Sequence, residues 1–346
     1  MSAYAAARTR LDDVLPPNRL RQFALAFPLD WNHERPFRLP TVSRGLGPYY
    51  IDWDPGCGTY GEDWIVLPRD PYGVLLTTGR KNVYHPIRIA QYALYAHQAF
   101  VRTGDAKMRD AFLAQARWLR DRQVLRGGVE GCYPFPFPWE KYGAAAGWIS
   151  AMAQGEAISA LLRADELAGG FADAALRAAM PFRRGIEDGG VVWRNGQGDV
   201  FCEEVAAEPA AHILNGALFA LFGLYDLHHT RPQPWVGKLF EELTATLRRR
   251  LELFDSGAWS YYSLLVGRGG RRHVASLRYH AFAIAQLRVL AAMTGDSYFG
   301  EIAQRWSDYR RNLRSRAWVV AHEVAAVTAQ ALTGADTVAR GSHALL

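Results

Sequence analysis

Pairs of long helical segments recur along most of this 346-residue chain, and their spacing constrains the fold more than any other feature. Apolar helices are expected to begin near residues 86, 148, 209 and 277, roughly 60 to 70 residues apart. A second helix that carries charged residues follows each of them. Paired helices at a regular spacing are typical of a solenoid or a closed ring. Because a helix that is apolar nearly all round must be buried, the first helix of each pair is expected to lie inside.

A Thr-Gly-Asp sequence that occurs after two of the apolar helices supports this repeat. Thr103-Gly104-Asp105 ends the first apolar helix, and Thr294-Gly295-Asp296 ends a later one. The apolar periodicity predicts helices near 86–103, 106–123, 148–168, 171–184, 209–229, 233–252, 277–294, 297–312 and 317–333. The fold class is therefore predicted to be mainly α, an α/α toroid (incomplete α/α barrel) of helical hairpins. Its active cleft is expected on the loops that lead into the inner helices.

The chain is predicted to have two parts. Residues 1–83 are rich in proline and are expected to form an irregular arm that packs on the toroid. Residues 84–346 are expected to form the toroid itself. Within it, the stretch 186–205 predicts a small β-hairpin, because two apolar β-prone runs flank a turn at Asn195-Gly196.

Composition limits the classes of function. The formal charge is +6, but the arginines are spread along helices, which is typical of solvated helix faces rather than of a nucleic-acid site. The same positive field would attract a polyanionic sugar. Cys57, Cys132 and Cys202 include no CxxC pair, so buried free thiols are expected, with no metal or cofactor. Neither a signal peptide nor a membrane-spanning run is visible, so a cytoplasmic protein is expected.

Three motifs resemble the C-terminal domain of D-glucuronyl C5-epimerases, the enzymes of heparan sulfate synthesis. GWISAMAQGEAIS at 147–159 is similar to the family's GWYSAMAQGQAIS. Glu203-Glu204 precedes an Ile-Leu-Asn-Gly segment at 213–216, and LRYH at 277–280 is similar to the family's RWDYH. A weaker match is PIRIAQ at 86–91. Together these segments cover about residues 84 to 312.

The resemblance implies an α/α toroid that inverts C5 of glucuronate residues within a polysaccharide, without a cofactor. Transferred by motif, the proton-transfer groups are Tyr279 and Glu204, with Tyr262 assisting. Arg278 is expected to help ionise Tyr279, because a neighbouring cation lowers the pKa of a phenol. Further candidates for contact with an anionic polysaccharide are residues beside these motifs or aromatic residues that suit sugar stacking: His280, Glu203, Asn215, Trp148, Tyr84, Tyr142 and Trp139.

Two departures from the family pattern affect the expected chemistry. The tyrosine that should follow the glutamate pair is Val205, and the family's arginine after the middle tyrosine falls near Leu265, with Arg268 out of register. Removing the C5 proton gives an enolate-like dianion that the site must stabilise. Epimerisation then needs a second proton donor on the opposite face, whereas β-elimination needs a donor at the C4 oxygen. Val205 therefore leaves a polysaccharide lyase as an alternative.

Two more functions stay open for this chain. Asp52, Asp54, Glu62 and Asp63 lie among aromatic residues, and paired carboxylates of this kind serve glycoside hydrolases. A catalytically inactive sugar-binding domain is the second. The apolar segment 317–333 is expected to pack on the ring or on a second copy of the chain in a homodimer.

Overall fold

The structure is a computed structural model that describes residues 31, 34–40, 45–53, 64, 67–77, 82–266 and 272–333. Among the residues named above, Asp54, Cys57, Glu62, Asp63 and Arg268 lie outside this part of the chain. Within it, no helix combines the length and apolar character that a membrane span requires.

The helices follow the predicted periodicity closely. In the described part of the chain they are α1 (Pro86–Thr103), α2 (Ala106–Asp121), α3 (Ala151–Ala168), α4 (Ala172–Ala178), α5 (Leu214–Thr230), α6 (Pro234–Arg250), α7 (Leu277–Thr294), α8 (Ser297–Arg311) and α9 (Leu313–Thr333). α3 begins later than predicted because the Ser150 side chain caps it by accepting from the Ala153 backbone N–H. α4 is shorter than predicted and gives way to a 3₁₀ turn at Met180–Arg183, since Pro181 has no N–H to continue the α-helical ladder.

Antiparallel hairpins connect these helices. They are β1 (Val124–Arg126) with β2 (Val129–Cys132), β3 (Val192–Arg194) with β4 (Val200–Cys202), and β5 (Tyr261–Val266) with β6 (Arg272–Val274). The middle hairpin was predicted, with its turn displaced by about a residue. The other two were not: β1, β2 and β6 have only three or four residues, which leaves little alternation to read, and the six-residue β5 pairs with one of these short strands.

The inner helices form a ring in chain order. α1 packs on α3, α3 on α5 and α5 on α7, while α2, α4, α6 and α8 each cover their own inner partner. The inner helices are buried over most of their circumference, as their apolar sequences predicted. This arrangement is an α/α toroid of helical hairpins. The described part of the proline-rich arm joins its core: the Trp53 ring lies 5.7 Å from that of Phe219 in α5 and 5.5 Å from that of Phe282 in α7.

The backbones of α3 and α5 approach each other very closely. A Cβ atom placed on Gly223 would lie 2.2 Å from the carbonyl oxygen of Gly155, and a Cβ on Gly155 would lie 2.6 Å from the Cα of Ala220. Real Cβ atoms do not approach so closely, so both positions require glycine at this helix spacing.

A buried ion pair also joins α3 and α5, further along both helices. The Asp226 carboxylate in α5 accepts from Arg163 Nη1 and from Ser159 Oγ in α3, each at 2.7 Å, and from the Tyr50 hydroxyl of the arm. The side chains of Arg163 and Asp226 are fully buried. Arg163 also donates to the carbonyl oxygen of Gly47 at 2.9 Å, so the network anchors the arm to the ring.

Candidate active site

A pocket lies where the inner helices begin, as the toroid architecture predicted. Its described lining comes from the first two turns of α1, α3, α5 and α7 and the residue before α1, from the arm and from the segment after β4. The lining side chains are Trp53, His85, Ile87, Arg88, Gln91, Met152, Glu204, Asn215, Phe219, Tyr279 and Phe282. Convergence of residues from all four inner helices makes this pocket the candidate active site.

Glu204 is a buried acid in this pocket. It follows β4, and its side chain lies so close to α5 that a Cβ on Gly216 would be 2.4 Å from Glu204 Oε2. Burial raises the pKa of Glu204 to about 8; the charge of Glu203 also raises it, whereas a hydrogen bond from Tyr262 and the charge of Lys141 lower it. Oε2 has no hydrogen-bond partner among the residues that the structure describes. Such a carboxyl group can exchange a proton near neutral pH.

Two tyrosines stand beside this acid. The hydroxyl of Tyr262, a buried residue in β5, donates to Glu204 Oε1 at 3.5 Å. The ring of Tyr279, in the first turn of α7, lies 4.8 Å from the ring of Tyr262 at an angle of 59°. The guanidinium carbon of Arg278 lies 5.9 Å from the centre of the Tyr279 ring. The structure therefore brings Glu204, Tyr262 and Tyr279 together, although they are far apart in the sequence.

Glu203 faces away from the pocket, as expected for neighbours in an extended segment. Its carboxylate is fully buried, accepts from the His212 backbone N–H at 2.9 Å and pairs with the His212 ring. Asn215 does line the pocket, and its Oδ1 lacks a partner within the described part of the chain. Of these two predicted contact residues, only Asn215 is brought to the site.

His280 lies in the core, away from the predicted sugar contacts. Its Nε2 donates to the Trp306 carbonyl oxygen at 3.0 Å, and its Nδ1 accepts from the Ser260 hydroxyl at 2.6 Å. The ring stacks on Trp259 with the centres 3.7 Å apart, and burial lowers its pKa to about 3. One residue further along a helix points about 100° away, which is why Tyr279 faces the pocket and His280 does not.

The predicted aromatic platforms do not line the pocket in the described part of the chain. Trp148 stacks on Phe135 with ring centres 3.8 Å apart, and its indole N–H donates to the Phe137 carbonyl oxygen at 2.9 Å. The Tyr84 hydroxyl donates to Asp70 at 2.7 Å. Tyr142 is buried, and its pKa is raised by burial and by the nearby Glu204 charge.

Trp139 packs edge-on against Tyr142, with their ring centres 5.0 Å apart. Trp53, in the arm, is the aromatic residue that sequence reasoning missed, although it directly follows Asp52 in the segment considered for its carboxylates.

A second buried acid lies behind the pocket. Glu156 in α3 is fully buried, and its Oε1 accepts from Gln91 Nε2 in α1 at 3.1 Å. Burial raises its pKa well above the ordinary value of a glutamate, whereas the hydrogen bond from Gln91 lowers it. It occupies the one position of the GWISAMAQGEAIS motif where an acid replaces the glutamine of the family pattern. That replacement is the sequence signal that could have singled it out.

Neither Val205 nor Asp52 lines the described pocket. Val205 is buried in the hydrophobic core, so no hydroxyl is present where the family pattern has a tyrosine. Asp52, of the rival carboxylate group, is partly buried and forms an ion pair with Arg38 at 2.8 Å.

The fold and site define a helical toroid whose pocket holds a carboxyl group and a phenol, which are groups that can transfer protons. Comparison with known proteins identifies the family. The family model for the D-glucuronyl C5-epimerase C-terminus matches residues 129–308. The chain belongs to this family.

Relatives of known sequence agree with this assignment. The chain is 31% identical over 226 residues to a D-glucuronyl C5-epimerase of Caenorhabditis elegans, covering 60% of this chain and 36% of that protein. It is 25% identical over 185 residues to an uncharacterized protein of Methanocaldococcus jannaschii, covering 51% of this chain and 56% of that one. The chain thus spans between about a third and just over half of the length of these relatives.

Solved structures give more distant similarities. An unsaturated glucuronyl hydrolase from Bacillus sp. GL1 matches with a TM-score of 0.45 and 14% identity, over 65% of this chain and 62% of that one. A D-mannose isomerase matches with a TM-score of 0.47 and 13% identity, over 69% and 64%.

Proposed function

We propose that this protein inverts C5 of uronate residues within an anionic polysaccharide, converting D-glucuronate to L-iduronate or acting on a similar uronate. The observation that carries the proposal is the Glu204–Tyr262–Tyr279 cluster at a pocket formed by four inner helices. Membership of the C5-epimerase family supports the same reaction.

The chemistry needs groups that can both accept and donate a proton. The C5 proton is α to the carboxylate, so a base must remove it and an acid must return one from the opposite face. Glu204, with a pKa of about 8, is populated in both protonation states near neutral pH. Tyr279 belongs to α7, on another wall of the pocket, and is the second proton-transfer group in this proposal. Tyr262 joins them, because its hydroxyl donates to Glu204 and its ring packs against Tyr279.

Val205 favours β-elimination as the second candidate, because it removes one hydroxyl from the expected acid–base set. Both reactions begin with loss of the C5 proton. They differ in their products: elimination leaves a 4,5-unsaturated sugar and shortens the chain, whereas epimerisation does neither.

Incubation with heparosan in D₂O tests the proposal. Proton NMR is expected to show deuterium at C5 and new iduronate signals, with no rise in ultraviolet absorbance. Tyr279→Phe is expected to slow the exchange by about 100-fold or more, since it removes a proton-transfer group. Tyr72→Phe is the matched control, because Tyr72 is 84% exposed on the surface. Rising absorbance would establish the lyase instead, and full exchange in Tyr279→Phe would refute the assignment of that residue.

A further inference from the structure

Proton removal beside a carboxylate is favoured when a cation or hydrogen-bond donors stabilise that carboxylate. The developing dianion carries two negative charges, and a nearby arginine would offset one of them. Among the described residues that line the pocket, the basic side chains are Arg88 and His85. Burial and the nearby charge of Arg88 lower the pKa of His85 to about 3, so His85 is neutral at pH 7. Arg88 therefore supplies the formal positive charge of this lining.

We propose that Arg88 binds the carboxylate of the uronate ring and selects for acidic sugars. This inference rests on the proposed function for the identity of the ring, but carboxylate recognition can be measured without turnover. Arginine suits the role because its planar guanidinium can donate two parallel hydrogen bonds to a carboxylate.

The local structure fixes where Arg88 stands. It lies in the first turn of α1 and is largely buried, with 7% of its surface exposed. Its backbone N–H donates to the His85 ring at 3.4 Å, which caps the start of the helix. Pro86 occupies the first turn as well, where its missing N–H costs nothing. The helix start that carries Arg88 is therefore well defined.

Arg88 and the acid belong to different walls of the pocket. In the ring, α3 lies between α1, which carries Arg88, and α5, against which Glu204 packs at Gly216. A sugar ring between these walls can present its carboxylate to α1 and its C5 proton to the Glu204–Tyr262–Tyr279 cluster. Binding and proton transfer are then performed by separate groups, as the reaction requires.

The other cations near the pocket are engaged at its margins. The Arg278 guanidinium lies beside the Tyr279 ring and does not belong to the described lining. Arg35 lies 4.3 Å from the centre of the Phe282 ring and donates to the Asp52 carbonyl oxygen at 3.0 Å. These charges add to the positive potential, but Arg88 is the one that reaches the described pocket wall.

Binding measurements on matched polymers test this assignment. Heparosan, alginate and polygalacturonate, each with its carboxyl-reduced neutral counterpart, are titrated into the wild-type protein by calorimetry. The wild type is expected to prefer at least one acidic polymer over its neutral form by about 10- to 100-fold, the value of charge-assisted hydrogen bonds. Arg88→Gln is expected to lose that preference, and Arg88→Lys to keep part of it. Arg102→Gln is the control, because Arg102 is exposed in the last turn of the same helix.

The outcomes separate this inference from the proposed function. Preference for acid that depends on Arg88, without deuterium exchange at C5, would support carboxylate binding and refute the epimerase. Exchange at C5 with unchanged preference in Arg88→Gln would overturn the role of Arg88 alone. A wild type that binds no polymer, or binds acidic and neutral forms equally, also overturns it. Circular dichroism and melting of each variant ensure that a loss of binding is not a loss of fold, and Arg88→Lys provides the test if Arg88→Gln fails to fold.

Discussion

Replacing Glu204 by glutamine is expected to make the protein more stable while removing its activity. The folded protein holds the Glu204 proton up to a pH of about 8, whereas the unfolded chain releases it near the ordinary value of 4.5. A raised pKa contributes full stability below pH 4.5, and that contribution is lost as the pH rises toward 8. The loss is about 1.4 kcal/mol per pH unit, so it amounts to about 3 kcal/mol at pH 7.

Glutamine cannot ionise and therefore does not incur this cost. With about 2.1 cal/mol/K of unfolding entropy per residue, a gain of about 3 kcal/mol raises the melting temperature of a chain of this size by about 4 °C. Thermal and urea unfolding of the wild type and Glu204→Gln, from pH 4 to pH 9, measures the difference. The two proteins should melt together near pH 4 and separate progressively above it.

Glu203→Gln is a matched control with the opposite sign. It is the neighbouring residue, equally buried, and receives the same substitution, but its carboxylate is paired with His212. Loss of this charge-assisted contact should cost about 2 kcal/mol. If Glu204→Gln is no more stable than the wild type at pH 8, or if its advantage does not change with pH, the raised pKa of Glu204 is refuted.

Two further substitutions test the packing around the site. Asp226→Asn leaves the buried Arg163 charge without its carboxylate and should lower the free energy of unfolding in urea by about 3 to 5 kcal/mol. Asp121→Asn, in an exposed ion pair, should change it by less than about 1 kcal/mol. Similar losses in both variants would contradict the buried network. Trp148→Ala should lower the free energy of unfolding by about 3 to 5 kcal/mol, because it removes the ring that stacks on Phe135. A variant with normal stability and weakened polysaccharide binding would instead support Trp148 as a sugar-stacking residue.

Much of the toroid could be predicted from the sequence, because helix periodicity is a local signal. α1 and α7 begin and end at the predicted residues: Pro86 stands at the start of α1, Ser276 caps α7, and a glycine follows each helix. The two short hairpins next to α2 and α7 were missed. In each of them at least one strand has only three residues, and so short a run does not reveal its partner.

The site was predictable only where motifs mark it. Glu204, Tyr262 and Tyr279 were named from the family resemblance, and the structure brings them together. The sequence did not reveal the direction of each side chain: His280 follows Tyr279 by one residue but points into the core. Arg88 was overlooked because the segment that contains it matches the family only weakly, and its place on the pocket wall depends on how α1 packs in the ring.

Two glycines of α5 link the packing of the helices to the position of the Glu204 side chain. Gly223 sets how closely α5 approaches Gly155 of α3, and Gly216, about 10 Å away along the same helix, leaves room for the Glu204 side chain. The distance between α3 and α5 and the position of the Glu204 carboxyl group are therefore coupled. A methyl group added at Gly223 would push the helix outward and carry Asn215 and the support of Glu204 with it. A substitution at Gly223 is therefore expected to shift the Glu204 side chain, although Gly223 lies about 10 Å along the helix from Gly216.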